Sequence, residues 1–278
     1  MKVYVDAGST STKWCLVQEG EVVEQFQAPG VNPVTMKENE IGYVLFKYIR
    51  PRIERYYPSI DLVEWYGAGC RGGDETEMLR QIIVKEIGTE NVGIDSDMVG
   101  AAKAALGDGA GICCILGTGS NSCLWDGRMI VDQVPSLGYI LGDEGSGNYL
   151  GRQLINSIYK RQMPEEIKLK FEEKFKTDLN RIIKNVYNSG FANQYLAATV
   201  PFIHENMDCV EIKEMVVRSF VDFFEKNVMK YRGYTEMTIG VVGSVAYVFA
   251  DELKAAALAC ECTIDTILQN PLDKLIFG

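Results

Sequence analysis

Apolar and polar residues along the chain form two short patterns that match. Apolar Val3 to Val5 runs into Asp6-Ala7-Gly8-Ser9-Thr10, resumes at Trp14 to Val17, breaks at Glu19-Gly20 and finishes at Val22-Val23. Short apolar runs punctuated by Gly, Ser and Asp predict strands joined by tight turns. The same order returns later, with Ile112 to Leu116 meeting Gly117-Thr118-Gly119-Ser120-Asn121, then Ser122 to Trp125, a turn at Asp126-Gly127, and Met129 to Val131. One such hairpin pair is unremarkable, but two copies with matching second turns predict a duplicated α/β domain.

Between the copies the pattern predicts a helix over Glu38 to Tyr56, a strand at Leu62 to Tyr66, a helix over Asp74 to Ile87, a strand at Val92 to Ile94, and a helix from about Asp97 to Leu106. After the second copy it predicts helices over Gly147–Tyr159, Glu165–Val186, Tyr195–Glu205 and Ile212–Tyr231, a strand at Thr238 to Val242, and a helix from Val245 to about Ala259. The glycine-rich stretch Gly107 to Gly111 suits a hinge, so the expected lobes are 1–107 and 108–278, with the final segment able to pack back on the N-terminal lobe.

Composition narrows the function classes. A chain of 278 residues that is 47% hydrophobic can bury two cores. A net charge of −10 with no Lys/Arg cluster argues against nucleic acid or an anionic membrane as partner. No apolar run approaches a membrane span, and the start MKVYVDAGST lacks the apolar region of a signal peptide. Eight cysteines, some in apolar strands (Cys113, Cys114), read as reduced thiols of a cytoplasmic protein. Cys260 and Cys262 form only CxC and His204 is the single histidine, too few ligands for zinc and no basis for Ser-His-Asp chemistry. His204 reads as a helix residue without a catalytic role. The sequence leaves the oligomeric state open, a homodimer being the commonest soluble assembly.

The two hairpin turns are rich in Gly, Ser and Thr, which lets backbone N–H groups approach phosphate oxygens, although hairpins also use these residues for purely structural reasons. Asp6 is placed to position Mg²⁺ or its waters, Thr10 to meet a phosphate and Lys13 to add charge. A third glycine motif, Gly67-Ala68-Gly69-Cys70-Arg71-Gly72, fits G-x-G-x-x-G between a strand and a helix, with Asp95 ending the next strand, and so also fits a dinucleotide site. That reading leaves both hairpins and the repeat unexplained.

The chain resembles the N-acetylglucosamine kinase-like branch of the actin/Hsp70/sugar-kinase superfamily, which also includes the activating ATPases of acyl-CoA reductases and dehydratases. The resemblance spans nearly the whole chain and rests on DAGSTSTK (Asp6–Lys13), GVNP (Gly30–Pro33), YGAGCRG (Tyr66–Gly72), the Asp97 neighbourhood, GTGSN (Gly117–Asn121), SLGYILGDEGSG (Ser136–Gly147) and GVVGSVA (Gly240–Ala246). It implies two ribonuclease H-like lobes with ATP between them. The first phosphate motif would include Asp6, Gly8, Ser9, Thr10 and Lys13, the second Gly117, Thr118 and Gly119, and the adenosine motif Gly240, Gly243 and Ser244. Asn32, Asp97, Gly119, Ser120, Ser136, Leu137, Gly138 and Asp143 would contact the sugar.

Phosphoryl transfer to an alcohol needs an acceptor for the hydroxyl proton. The resemblance gives that role to Asp97, with Mg²⁺ near Asp6; read from the residues alone, Asp95, Ser96 or Asp97 could equally cap the following helix. The implied activity is ATP-dependent phosphorylation of an amino-sugar hydroxyl, N-acetylglucosamine or a close relative, with closure of the lobes excluding water. An activating ATPase sharing an iron–sulfur cluster would instead need exposed thiolates among Cys70, Cys209, Cys260 or Cys262. A sugar-sensing DNA-binding regulator would need a helix-turn-helix ahead of the first hairpin. P-loop and protein-kinase signatures are absent.

Overall fold

The computed structural model describes residues 1–8, 10–188 and 190–276. The chain forms two units: Met1–Gly107 joined by the described residues from Asn270 onward, and Asp108–Gln269.

In the first unit, strands β1 (Lys2–Ala7), β2 (Ser11–Gln18) and β3 (Glu21–Pro29) form an antiparallel meander, and β4 (Leu62–Gly67) and β5 (Val92–Ser96) extend it in parallel. The order across the sheet is β3-β2-β1-β4-β5. Alternation along the strands gives the sheet two apolar faces. Val3, Val5, Ala7, Trp14 and Leu16 enter the main core, whereas Cys15 and Val17 point the other way and meet Leu272 and Ile276 beside a one-turn helix, Leu272–Leu275. Trp14 stacks on Phe26, meets Trp65 edge-on, and donates its indole N–H to the buried Thr12 hydroxyl at 2.9 Å.

The helix predicted over Glu38 to Tyr56 divides into α1 (Glu38–Val44), a π-helical turn Leu45–Ile49, α2 (Arg50–Ile53) and a 3₁₀ segment Glu54–Ser59. Pro51 supplies no N–H and its ring crowds the preceding turn, so the chain widens before it, and Pro58 falls where the 3₁₀ segment ends. Helices α3 (Gly73–Ile87) and α4 (Asp97–Leu106) follow β4 and β5. Gly100 of α4 lies so close to the Tyr66 ring that a Cβ would sit 2.7 Å from it, so the small-residue face of this helix is what lets it lie on β4.

The second unit repeats the topology with β6 (Gly111–Leu116), β7 (Ser120–Trp125), β8 (Ile130–Asp132), β9 (Ile239–Val242) and β10 (Thr266–Leu268), ordered β10-β9-β6-β7-β8. Each sheet is thus two antiparallel hairpins followed by two parallel strands. Even the irregularities match. Thr12 opposes Ala7 and Ser120 opposes Leu116, and four residues further along, at Leu16 and at Leu124, both second hairpins carry a register shift. The first turn is one residue longer than the second.

Helices α5 (Gly138–Leu141), α6 (Gly147–Tyr159), α7 (Glu165–Phe175), α8 (Leu179–Asn188), α9 (Ala192–Ala197), α10 (Val200–Glu205), α11 (Val210–Lys226), α12 (Ser244–Val248) and α13 (Ala250–Ala259) complete this unit. Leu150, Leu154, Phe220, Phe224 and Phe249 bury their side chains against Ile112, Cys114 and Leu116. Three expected single helices are broken. Lys176 adopts left-handed φ of 46°, and Lys176 and Thr177 donate back to Glu173 and Glu172, a Schellman end that stops α7; Asp178 then accepts from the Arg181 N–H and starts α8. Pro201 stands in the first turn of α10 and separates it from α9, and Phe249 leaves helical geometry between α12 and α13. The chain ends α11 at Lys226, short of the expected Tyr231.

All eight cysteines are free, and no helix among the described residues is long and apolar enough to cross a membrane.

Candidate functional site

In the first unit the candidate residues gather at the carboxyl ends of β1, β4 and β5. Ala7, Gly67 and Ser96 lie in one row across the sheet, so the next residues, Gly8, Ala68 and Asp97, leave it side by side. The Gly8 turn is closed by its N–H on the Ser11 carbonyl at 3.0 Å, and the Thr10 carbonyl accepts from Gly30. Ser9 lies outside the described residues. Asp6 opposes Lys13 across the β1–β2 ladder. Burial pushes the Asp6 carboxyl up to about 6; Lys13 pulls it down and the charge of Asp97 pushes it up.

Three residues competed for the start of α4, and their geometry separates them. Ser96 is the N-cap, its hydroxyl accepting from the Val99 N–H at 3.3 Å. Asp95 is exposed and paired with Lys103 at 3.4 Å. Asp97 is the first helical residue; one carboxylate oxygen accepts from the Met98 N–H at 2.9 Å, burial raises its pKa, and that N–H and the Arg71 guanidinium lower it. A half-buried carboxyl with a raised pKa, released from capping, is a fitting proton acceptor.

Asn32 sits in a loop of its own making. Its side-chain oxygen accepts from the Val34 N–H at 3.0 Å and its carbonyl from Thr35 and Met36. Its side chain rests on Gly69, whose φ of +81° no L side chain readily adopts and whose Cβ would overlap Asn32 Oδ1. The middle glycine of the G-x-G-x-x-G motif is thereby committed to Asn32, and Asp95, the acid a dinucleotide site would require, to Lys103. Cys70, Cys260 and Cys262 are buried, and Cys209 donates to Glu211 at 3.1 Å, which leaves no exposed thiol pair for a shared cluster among them.

In the second unit, Gly117 closes the turn by donating to the Gly119 carbonyl at 3.0 Å. The turn is fastened to α6, because Gly147 and Asn148 donate to the Gly117 and Thr118 carbonyls at 2.8 and 3.0 Å. Gly243, at φ +133°, carries no Cβ to strike the Leu116 carbonyl, and Ser244 begins α12, so the β9–α12 junction adjoins the same turn. Gly240 lies buried within β9. Asp143, itself at φ +57° and buried, accepts from the Ser120 N–H at 3.2 Å and from the Asn148 amide at 2.8 Å.

Burial raises the Asp143 pKa, while those bonds and Arg152 lower it and Glu144 raises it. Each carboxylate oxygen keeps a lone pair for a ligand, but the carboxylate's first duty is to hold the turn. Ser136 folds back to accept from the Asp143 N–H at 3.2 Å, and Leu137 and Gly138 are the left-handed residues that make this return possible. Sequence reasoning missed Asn148, buried and bridging the Thr118 carbonyl to Asp143, and Arg71; an Asn in the first turn after a Ser-Gly cap was the only signal of the former.

No family model and no curated protein matches the chain, but solved structures do. One, a "Putative N-acetylglucosamine Kinase" from Porphyromonas gingivalis, is 40% identical over 99% of this chain and 97% of its own, with a TM-score of 0.96. The chain belongs to the N-acetylglucosamine kinase-like branch of the actin/Hsp70/sugar-kinase superfamily. A second structure of that description, from Chromobacterium violaceum, is 13% identical over 100% of this chain and 98% of its own, with a TM-score of 0.69. A ROK family glucokinase from Streptomyces griseus, solved with glucose and AMPPNP, is 14% identical over 98% and 94%, with a TM-score of 0.57. At those identities the two share the fold of this kinase-like chain.

Proposed function

We propose that this chain transfers a phosphoryl group from ATP to a hydroxyl of an amino sugar, N-acetylglucosamine or a close relative, with Asp97 as the general base. The observation that carries the reading is the shared row: the Gly8 turn and Asp97 leave the same edge of one sheet, and Ser96 does the capping that would otherwise occupy Asp97. Backbone N–H groups of the two glycine turns would hold phosphate oxygens, Lys13 would add charge, and Gly240, Gly243 and Ser244 would border the adenosine. Asn32, Ser120, Ser136 and Asp143 supply the hydrogen bonds by which a sugar is distinguished from analogues lacking the matching group. The amino-sugar choice is supported by the name of the 40%-identical relative.

The donor set at β1 fits magnesium. Asp6 is a desolvated carboxyl with a second carboxylate, Asp97, close enough to raise its pKa, and magnesium is commonly held by one or two carboxylates together with phosphate. No cluster of three or more metal-binding side chains occurs among the described residues, which suits that arrangement better than an all-protein cage. Asp6, directly or through water, would hold the ion, and the ion would neutralise charge on the phosphates. Asp97 accepts the proton of the sugar hydroxyl as its oxygen bonds phosphorus. A cytoplasmic location and a homodimer belong to the same reading; sedimentation checks the latter.

The test is ADP release over a panel of amino and neutral sugars, with Asp97→Asn alongside. An amino sugar should stimulate turnover, and the variant should lose about 10²–10⁴-fold in kcat while still binding ATP. A panel without a stimulating sugar, or a fully active variant, refutes the reading.

A further inference from the structure

The Gly67–Gly72 loop is the one sequence motif to which neither the phosphate nor the sugar contacts assign a task beyond seating Asn32. It is also the middle of three adjacent exits. Gly67 pairs with Ala7 on one side and Ser96 on the other, and the Ala68 N–H donates to the Ala7 carbonyl at 2.8 Å. Neighbouring strands lie about 4.8 Å apart, so the phosphate turn after β1 and Asp97 after β5 leave the sheet roughly 10 Å from each other, with this loop between them. A phosphoryl group passing from a nucleotide on the first to a hydroxyl beside the second travels over that loop.

Its conformation is fixed. Cys70 donates its N–H to the Gly67 carbonyl at 3.1 Å and buries its side chain, and Arg71 donates its own N–H to the Gly69 carbonyl at 3.2 Å. The Cys70 thiol is pushed up to about 12 by burial and by Asp97, so it stays neutral. Arg71 is the one charged side chain in the loop; it is exposed and takes part in none of the ion pairs found among the described residues. Besides the Met98 N–H, the side chains that act on the Asp97 carboxylate or feel its charge are Arg71, Cys70 and Asp6, and Arg71 alone is cationic. Lys13 faces Asp6 instead.

We infer that Arg71 is a catalytic residue of this site, its guanidinium meeting the equatorial oxygens of the phosphoryl group in transfer. The inference rests on the kinase reading. The bond from the γ-phosphorus to the bridging oxygen breaks and leaves its electron pair on ADP, the sugar oxygen forms the new bond to phosphorus, and its proton goes to Asp97. Negative charge spread over three oxygens during that exchange suits a planar, permanently charged fork carried on a loop whose backbone is held in place.

The experiment compares wild type, Arg71→Ala and Arg71→Lys for kcat, for both KM values, for ATP binding, and for the pH profile of kcat. Arg71 is exposed, so both variants should melt as the wild type does. Expected for Arg71→Ala is a fall in kcat of about 10²–10³-fold with ATP affinity and sugar KM little changed, partial activity in Arg71→Lys, and partial rescue of Arg71→Ala by added guanidinium. The deficit should persist on the alkaline plateau, where Asp97 is ionised in either protein. Full recovery at high pH would mean that Arg71 only keeps Asp97 ionised, and a raised sugar KM at unchanged kcat that it only binds substrate; each overturns the inference. An active enzyme indifferent to the substitution overturns it alone, whereas an enzyme that no sugar stimulates overturns the kinase reading and this inference together.

Discussion

Gly69→Ala is the most informative single methyl group that could be added to this chain. Two penalties arise. An L residue held at φ +81° costs about 1–2 kcal/mol. The new Cβ would also overlap Asn32 Oδ1 and lie 3.1 Å from Asn32 Cγ and from Val34 Cγ2, so the Asn32 side chain must swing away and give up its bond from the Val34 N–H, about 0.5–1.5 kcal/mol more. The total is about 1.5–3.5 kcal/mol. Gly20→Ala isolates the first penalty, because Gly20 has nearly the same φ, +85°, with nothing within 4 Å of its Cβ position.

Urea denaturation of the two variants should therefore give about 1–2 kcal/mol for Gly20→Ala and about 1 kcal/mol beyond that for Gly69→Ala. Steady-state kinetics supplies the second readout. If Asn32 contacts the sugar, Gly69→Ala raises the sugar KM by about tenfold, the equivalent of one lost hydrogen bond, and Gly20→Ala leaves it alone. Equal destabilisation of the two variants with no change in KM would show that Gly69 does not seat Asn32 for binding.

Two more outcomes follow from burial. The Asp6 carboxyl has a folded pKa of about 6 against an ordinary 3.8, so its contribution to stability is fully present below pH 3.8 and is lost as pH rises through about 6. Asp6→Asn should accordingly be more stable than wild type near neutrality, by at most about 2 kcal/mol for a partly solvated group, while losing magnesium-dependent turnover; melting curves that show no pH-dependent gap between the proteins refute this. Ending the chain before Asn270 removes Leu272 and Ile276 from Cys15 and Val17, and about 3–6 kcal/mol of stability by calorimetry; an unchanged melt would mean the last helix is dispensable.

Much of this molecule could be read before any coordinates were available. The duplicated α/β architecture was visible because both hairpin pairs repeat turn residues at the same offsets, and α4 and α6 were bounded correctly because each has a strong local start. The helices that broke did so through local signals of less weight: a lysine accepting left-handed geometry at 176, a proline in the first turn of α10. Strand β10 escaped notice because three residues, all half-buried, carry no periodicity. The tie of Asp143 to Ser120 spans 23 positions, and no spacing rule links a buried carboxylate to a turn that distant. Ser96 could be told from Asp95 and Asp97 as the cap of α4 only once the partners of all three were known, since each of the three is chemically able to cap.

The short helix Leu272–Leu275 bears on how the chain is made. Its apolar side chains cover the face of β1 and β2 that carries Cys15 and Val17, so this sheet leaves the ribosome with one side that residues synthesised long after it must cover. The second unit can complete its core, from Ile112 to Cys262, while the first still exposes that strip. Assembly then runs counter to the order of synthesis, and chaperone contacts or early proteolysis on a nascent chain should concentrate at the sheet of β1 to β5 until Leu272 to Ile276 emerge.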